Sequence, residues 1–182
     1  MILYETERLI VRVYEDKDAN DLFEMCSDDL TNRFVSYPQY TSLDNAFDRI
    51  NDLKNINGIE GNSYAVELKS ENKVVGDIGL VHFSEKCGGI AEVGYQMSSK
   101  YYNKGVMTEA LKGMIKYLFE NNIAMRVECR HAMNNPASGK VMEKAGMVKE
   151  GILRKSTSNK LSDRVDLAVY GILKEDYMNS LN

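Results

Sequence analysis

The chain is poor in cysteine. Its 182 residues include only Cys26, Cys87 and Cys129, which lie far apart. An odd number of widely spaced thiols argues against a disulfide framework and against a CxxC metal site. Neither His82 nor His131 has a second histidine or cysteine at metal-ligand spacing, so we expect no metal. The three thiols are expected to be small buried or half-buried side chains.

Long apolar runs are also absent, and the longest span only a few residues, too few to cross a membrane. The first residues, MILYETERLIVR, include an early acidic residue and no extended apolar region, which is unlike a secretory signal. The net charge of −4 gives no support for nucleic-acid binding. We therefore expect no membrane or nucleic-acid partner and a cytoplasmic location, with the protein a monomer or a homodimer.

Proline is scarce, with only Pro38 and Pro136, and the chain shows no internal repeat, low-complexity tract or linker. Hydrophobic residues make up 43% of the sequence, which is typical of a folded rather than a disordered chain. A chain of this length can bury a substantial core. We expect one globular domain over residues 1–182.

Hydrophobic periodicity predicts the element order β-α-α-β-β-β-α-β-α-β-β, a mixed α/β or α+β fold. The predicted strands cover residues 8–13, 63–69, 73–83, 90–97, 125–130, 148–154 and 164–170. The predicted helices cover residues 16–27, 43–56, 108–120 and 136–145. The segment 31–40 is expected to be irregular, and residues 156–162 a polar loop.

The start of the third predicted helix raises a question. From Thr108 onward the helix is amphipathic, but the chain enters it through Asn103, Lys104 and Gly105, which offer no strong N-cap. The first N–H groups of a helix have no internal partner, and they bind anions readily. Gly105 has no Cβ to block a close approach. Either a side chain, water or an anion must satisfy these donors.

Two segments together resemble the GNAT superfamily of acetyl-CoA-dependent N-acetyltransferases: AEVGYQMSSKYYNKGVMTEAL and NNPASGKVMEKAGMVKEG. The opening ETERLIVRVYEDKDANDLFEM and the closing VYGILKEDY look like the branch that includes the ribosomal-protein N-terminal acetyltransferases. The resemblance covers nearly the whole chain. It implies a mostly antiparallel central sheet flanked by helices, whose splayed central strands form the acyl-CoA cleft.

The resemblance also implies which residues bind the co-substrate. The pyrophosphate of coenzyme A would lie on the N–H groups of Asn103, Lys104, Gly105, Val106, Met107 and Thr108. Backbone groups near Tyr95, Gln96 and Met97 would bond the pantetheine arm, and Asn135 would lie beside that arm. Met97 and Met107 are the methionines most expected to touch the co-substrate. The chain departs from the usual family pattern at Tyr102 and Met107.

For the chemistry, we expect Glu92 to be the base, since a partly desolvated carboxylate can take the proton of an amine directly or through water. The alternative is that Glu92 faces solvent or pairs with a neighbouring strand. Ser138 is a candidate for the acid, although a hydroxyl is better suited to orienting or relaying a proton; Tyr102 and Tyr170 are the tyrosine alternatives. His82 is expected to be structural or solvated, and it is a lesser candidate for lining the amine cleft.

These expectations indicate an N-acetyltransferase that transfers an acetyl group from acetyl-CoA to a primary amine by direct attack on the thioester. The acceptor is a protein N-terminus, another peptide amine or a small-molecule amine, and its site is expected in residues 28–57 and 156–163. Two alternatives stay open. One is an acyl-CoA-binding sensor module without catalysis, and the other is a generic phosphate-binding α/β protein.

Overall fold

The computed structural model of the chain describes residues 1–35, 37–56 and 58–180. The strands are β1 (Ile2–Glu5), β2 (Leu9–Arg12), β3 (Ser63–Leu68), β4 (Lys73–Ser84), β5 (Ile90–Met97), β6 (Arg126–Ala132), β7 (Val148–Asn159) and β8 (Ser162–Leu173). The α-helices are α1 (Ala19–Ser27), α2 (Asp29–Asn32), α3 (Leu43–Lys54), α4 (Val106–Glu120), α5 (Pro136–Lys144) and α6 (Lys174–Asn179).

The eight strands form one sheet in the order β1-β2-β3-β4-β5-β6-β8-β7. Neighbouring strands are antiparallel except β5 and β6, which run parallel and are connected through α4. The mixed, mostly antiparallel sheet expected from the sequence is therefore confirmed.

Helices cover both faces of this sheet. The core on one face includes Leu111 and Phe119 of α4 together with Met142 of α5. The core on the other face includes Leu22 of α1 and Ile50 of α3. The apolar stripe predicted for α4 is fully buried, which explains why the helix that connects two neighbouring strands lies flat on the sheet.

Several boundaries differ from the sequence-based expectation. Helix α4 starts at Val106, two residues before Thr108. Strand β1 and the short helices α2 and α6 were not expected. The predicted polar loop at 156–162 is mostly strand, because β7 and β8 continue to pair up to Asn159 and Ser162. Since nearly all of β7 is exposed, it lacks the alternation that would reveal a strand.

Positions Ser36 and Asn57, within the predicted irregular segment and just beyond the end of α3, lie outside the described residues. Among the helices that the structure describes, none has both the length and the apolarity needed to cross a membrane.

Candidate active site

The start of α4 has no side-chain cap. Gly105 is the N-cap residue, with φ 74° and ψ 2°, and the first hydrogen bond of the helix runs from the Glu109 N–H to the Gly105 carbonyl at 3.1 Å. The N–H groups of Val106, Met107 and Thr108 donate to no acceptor in the part of the chain that the structure describes. Free donors at the positive end of a fifteen-residue helix form an anion site. We call residues 103–108 the α4 entry.

The backbone before the helix turns sharply to present these donors. Asn103 has φ 61°, a left-handed conformation that asparagine tolerates well. The Lys104 N–H already bonds the Tyr101 carbonyl at 3.4 Å, so Lys104 is the least available of the predicted backbone donors. Its ammonium group lies 4.9 Å from the centre of the Tyr101 ring.

Arg8 supports the α4 entry from the turn between β1 and β2. Its Nη1 donates to the Lys104 carbonyl at 3.0 Å, and its Nε pairs with Glu109 at 2.6 Å. A Cβ at Gly105 would lie 3.5 Å from Arg8 Nη2. Burial opposes the ionisation of Glu109, but hydrogen bonds from Thr6 and Arg8 outweigh it and hold the pKa of Glu109 below its usual range. The entry therefore has a fixed cation beside it that the sequence analysis did not identify.

The parallel strands beside the entry separate. β5 pairs with β6 only across Ile90–Glu92 and Arg126–Glu128, whereas its pairing with β4 continues to Met97. From residue 93 to residue 97, β5 therefore has no strand partner on the β6 side among the described residues. We call residues 93–97 the open stretch of β5. It contains the predicted Tyr95, Gln96 and Met97, and it provides unpaired backbone groups for an extended ligand.

The Tyr95 side chain crosses from the open stretch to α5. Its hydroxyl donates to the Ser138 carbonyl at 2.9 Å and accepts a hydrogen bond from Ser138 Oγ at 3.0 Å. Burial, with a smaller contribution from Cys129, raises the pKa of Tyr95 far above its usual range. The hydrogen bond to Tyr95 therefore fixes the direction in which the Ser138 hydroxyl donates.

Asn135 precedes α5, which starts at Pro136 as expected, but its side chain makes no capping hydrogen bond. Its backbone N–H bonds the Ala132 carbonyl at 2.8 Å, which fixes the turn after β6. The Asn135 side-chain amide has no protein partner within the described ranges, and the expectation that it lies beside the pantetheine arm stays a prediction.

Other candidates are held elsewhere. The Met107 side chain is buried, and its Cε lies 3.0 Å from the place that a Cβ would take at Gly76. The expectation that this side chain touches the co-substrate is therefore wrong. The Met107 backbone N–H remains part of the α4 entry. Tyr170 is buried and donates to Glu143 at 3.1 Å. His131 is buried against Gly139 in the core between β6 and α5.

Glu92 lies on the part of β5 that is still paired with β6. Its Oε2 is 3.4 Å from Arg130 Nη2, which also lies 3.4 Å from Glu128. Glu92 therefore pairs with a side chain of the neighbouring strand, which is the alternative to a role as the base that the sequence analysis left open. His82, opposite Glu92 on β4, bonds Glu60 at 2.8 Å and is exposed.

A cavity of about 910 Å³ lies between the sheet and α3, on the face of the sheet opposite to α4. Its wall includes Gly79 and Gly94, which face each other across β4 and β5, and Tyr37, which donates a hydrogen bond to Gln96. Residues 35, 37–41, 45, 48, 49, 52 and 53 contribute to its wall, and all of them lie in the segment 28–57 that the sequence analysis expects to form the acceptor site. The hairpin at 156–163 does not line this cavity, and the expectation for that segment stays a prediction.

Asp77 lies in this cavity, directly opposite Gln96, and was not among the predicted site residues. Burial raises the pKa of Asp77 to about 6, although the Arg49 charge opposes the shift. The signal in the sequence was available: KVVGDIGL places one acidic residue inside an otherwise apolar strand. We call this space the Asp77 cavity.

An uncapped helix start, two splayed strands and a separate cavity on the far side of the same strand are the parts of an acyl-CoA-dependent transferase. The Acetyltransferase (GNAT) domain family matches residues 8–148, and the chain belongs to that family. Enzymes of this family use acetyl-CoA, and the donors of the α4 entry fit its pyrophosphate.

Individual relatives agree. The crystal structure of a GNAT-family acetyltransferase from Bacillus anthracis is 30% identical, with a TM-score of 0.82 over 96% of this chain and 99% of that one. The uncharacterised N-acetyltransferase p20 of Bacillus licheniformis is 28% identical over 94% of this chain and 96% of its own length. The [ribosomal protein uS5]-alanine N-acetyltransferase of Escherichia coli is 26% identical over 80% of this chain and 78% of its own length.

Proposed function

We propose that this protein transfers the acetyl group of acetyl-CoA to a primary amine by direct attack of the amine on the thioester. The observation that carries the proposal is the α4 entry beside the open stretch of β5, where the N–H groups of Val106, Met107 and Thr108 have no acceptor among the described residues. Such a pair of features suits a ligand with a pyrophosphate followed by an extended amide-containing arm.

Different residues of the site would bind different parts of acetyl-CoA. The N–H groups of Gly105, Val106, Met107 and Thr108 would hold the pyrophosphate, and the Arg8 guanidinium, which is paired with Glu109, lies beside them. Backbone groups of Tyr95, Gln96 and Met97 would bond the pantetheine amides, and the Asn135 side chain would lie beside the arm.

When bound, acetyl-CoA supplies an acyl carbon activated as a thioester. The chain must remove a proton from the amine, hold the developing oxyanion and return a proton to the thiolate. A backbone N–H near Met97 is proposed for the oxyanion. Ser138, hydrogen-bonded to Tyr95, is proposed to orient or relay the proton that the thiolate receives.

The acceptor is proposed to be the amino group of a peptide or protein. The name of the Escherichia coli relative specifies an alanine of a ribosomal protein as its acceptor. The Asp77 cavity is open and lies across β5 from α5, so an acceptor can approach from the face opposite Tyr95 and Ser138.

Isothermal titration with acetyl-CoA tests the proposal on the wild type, on Gly105→Asp and on Gly105→Asn. Asp and Asn have the same shape, and a Cβ at position 105 would meet no atom closer than 3.5 Å, so the strain of the positive φ is common to both variants. Only Asp places a negative charge at the α4 entry. We expect affinity to fall by about 100-fold or more with Asp and by far less with Asn.

Absence of binding by the wild type would overturn the proposal. Equal losses with Asp and Asn would show that backbone strain, rather than charge, governs the entry. An acceptor screen that detects the released thiol then separates a transferase from a sensor, since a sensor binds acetyl-CoA and releases none.

A further inference from the structure

Asp77 is a partly buried charge without a direct partner. Its carboxylate makes no hydrogen bond or ion pair with any residue in the described parts of the chain, and Arg49 acts on it only at longer range. Two more groups that line the same cavity are unpartnered: Tyr14 Oη and Gln96 Nε2, both buried. Tyr14 is only 3% exposed. Buried polar groups nearly always have partners, so two buried donors without them, beside a carboxylate that has no ion pair, indicate a ligand.

The position of Asp77 on the sheet favours contact with the reacting groups. It lies opposite Gln96, on the open stretch of β5, where β6 has moved away. Glu92 lies on the same face of β5 but four residues earlier, where the two strands still pair and Arg130 holds its carboxylate. Of these two carboxylates, only Asp77 faces the cavity at the level of the open stretch.

The cavity also has the charge that a cation requires. Its lining includes the carboxylates of Asp48, Asp52 and Asp77 against the single guanidinium of Arg49. Burial, reinforced by Asp77, raises the pKa of the Cys26 thiol to about 12, and burial also raises the pKa of Tyr40 to about 12. These groups are neutral near pH 7 and do not compete as bases.

The groups that face Asp77 come from four elements. They are Tyr14 after β2, Cys26 of α1, Tyr37 and Tyr40 between α2 and α3, and Asp48, Arg49 and Asp52 of α3. The pKa values of Tyr14 and Tyr37 are raised far above their usual range, first by burial and then by neighbouring charges that include Asp77. Near pH 7, Arg49 is the cation among them.

We propose, on the premise of the transferase function above, that Asp77 binds the ammonium group of the acceptor and takes its proton, while Gln96 and Tyr14 donate to the adjacent carbonyl. The acceptor is then an α-amino carbonyl compound, such as the amino terminus of a peptide. A polyamine would satisfy Asp77 but would offer no oxygen to the two unpartnered donors.

The step balances. The ammonium gives one proton to the Asp77 carboxylate, and the neutral nitrogen forms a bond to the acyl carbon. The C–S bond breaks, and its electron pair leaves with sulfur. The nitrogen loses its second proton as it becomes an amide, and the thiolate takes a proton to leave as a thiol. Asp77 returns its proton to water, so one proton is released per turnover.

Binding of alaninamide, compared with its neutral hydroxyl counterpart lactamide, tests the proposal without requiring turnover. Titrations followed by NMR would use the wild type, Asp77→Asn and Glu92→Gln at pH 7. We expect the wild type and Glu92→Gln to bind alaninamide about tenfold or more tightly than lactamide, and Asp77→Asn to lose this preference. Spermidine serves as the amine without a carbonyl and is expected to bind more weakly than alaninamide.

Equal binding of alaninamide and lactamide by the wild type, or retention of the preference by Asp77→Asn, would overturn the role of Asp77. Tighter binding of spermidine would overturn the α-amino carbonyl class. The carboxyl-carbon NMR signal of Asp77 in the wild type must move on addition of alaninamide, a readout that holds even if the variant folds poorly. Acetyl-CoA titration of the same samples shows separately whether the transferase proposal survives.

The pH profile adds a kinetic test with alaninamide as acceptor. In the wild type, kcat/KM should rise through about pH 6 as Asp77 ionises. It should fall above about pH 8 as the amine in solution loses its proton. In Asp77→Asn, kcat/KM should be about 100-fold lower at pH 7 and should rise up to about pH 8, because only free amine can react. An unchanged profile in Asp77→Asn contradicts the proposal.

Discussion

The two sides of β5 are built from different parts of the polypeptide. On the α4 side, the binding groups are backbone N–H groups left open by a helix start and by strands that separate. On the α3 side, they are the side chains of Asp77, Gln96 and Tyr14, which come from three separate segments. Backbone donors are common to every residue type, whereas side-chain groups change with one substitution. The co-substrate side should therefore tolerate sequence change, and the acceptor side should determine selectivity.

Gly79→Ala is expected to have the largest effect on stability. A Cβ at Gly79 would lie 2.0 Å from the Asn62 carbonyl oxygen and 2.7 Å from Ser63 Cα, and backbone atoms cannot rotate away. We expect the free energy of unfolding to fall by roughly 3 kcal/mol or more, measured by urea denaturation. The folded fraction should still bind acetyl-CoA, because the changed wall belongs to the Asp77 cavity.

Gly94→Ala is the matched control, since Gly94 faces Gly79 across the two strands. The Cβ that the variant adds at position 94 would contact only Val81 Cγ2, at 2.6 Å. Val81 is an exposed side chain and can move. A loss below about 1 kcal/mol is expected. If folded Gly79→Ala fails to bind acetyl-CoA, the two sides of β5 are not independent.

Asp77→Asn should stabilise the protein in a pH-dependent manner. The pKa of Asp77 is raised by burial from 3.8 to about 6, so the folded state binds this proton more tightly than the unfolded chain. The wild type therefore loses stability as pH rises from about 4 to about 6, by up to about 3 kcal/mol. Asn cannot ionise, so the variant should gain that amount over the wild type between pH 4 and pH 7.5.

Urea denaturation at pH 4, 6 and 7.5 measures this difference. Glu92→Gln, which removes a carboxylate on the same face of β5, is the control and should show no comparable gain. If the difference in the free energy of unfolding between Asp77→Asn and the wild type does not change with pH, folding does not raise the pKa of Asp77.

Tyr95→Phe probes the hydroxyl-bearing side chain that the open stretch contributes to the α4 side. The change leaves the Ser138 carbonyl without its donor, so we expect a loss of about 1–2 kcal/mol in the free energy of unfolding. Acetyl-CoA binding should weaken and alaninamide binding should not. Ser138→Ala keeps the hydrogen bond from Tyr95 to the carbonyl of residue 138, so its free energy of unfolding should fall by less. Weaker alaninamide binding in Tyr95→Phe would break the separation between the two sides.

Glu92→Gln should have the smallest effect on stability. The Glu92 and Arg130 side chains are 20% and 37% exposed and lie 3.4 Å apart, which suggests a contribution of about 0–1 kcal/mol. Thermal unfolding at low and high salt would measure it. A large loss of turnover with acetyl-CoA binding intact would instead identify Glu92 as the base and remove that role from Asp77.

Local patterns explain which elements could be predicted. The stripe of Leu111, Ile115 and Phe119 repeats within one helix, so α4 was evident from the sequence apart from its first turn. Strand β1 and the end of the β7–β8 hairpin were missed because they are held by pairing with partners rather than by an apolar alternation of their own. The start of α4 was misplaced because Val106 and Met107 belong to the core.

The sequence by itself determined the family and, through that resemblance, the mostly antiparallel sheet, and hydrophobic periodicity located most of α4, because such periods are properties of residues close together in the chain. Only the tertiary structure decided the acceptor side. The pairing of β4 with β5 places Asp77 opposite Gln96, and the packing of α3 on the sheet brings Arg49 near both. The same pairing leaves Glu92 beside Arg130. Asp77 and Glu92 lie on the same face of the sheet but have different neighbours, because contacts between residues far apart in the sequence bring those neighbours together. Local sequence patterns do not predict such contacts.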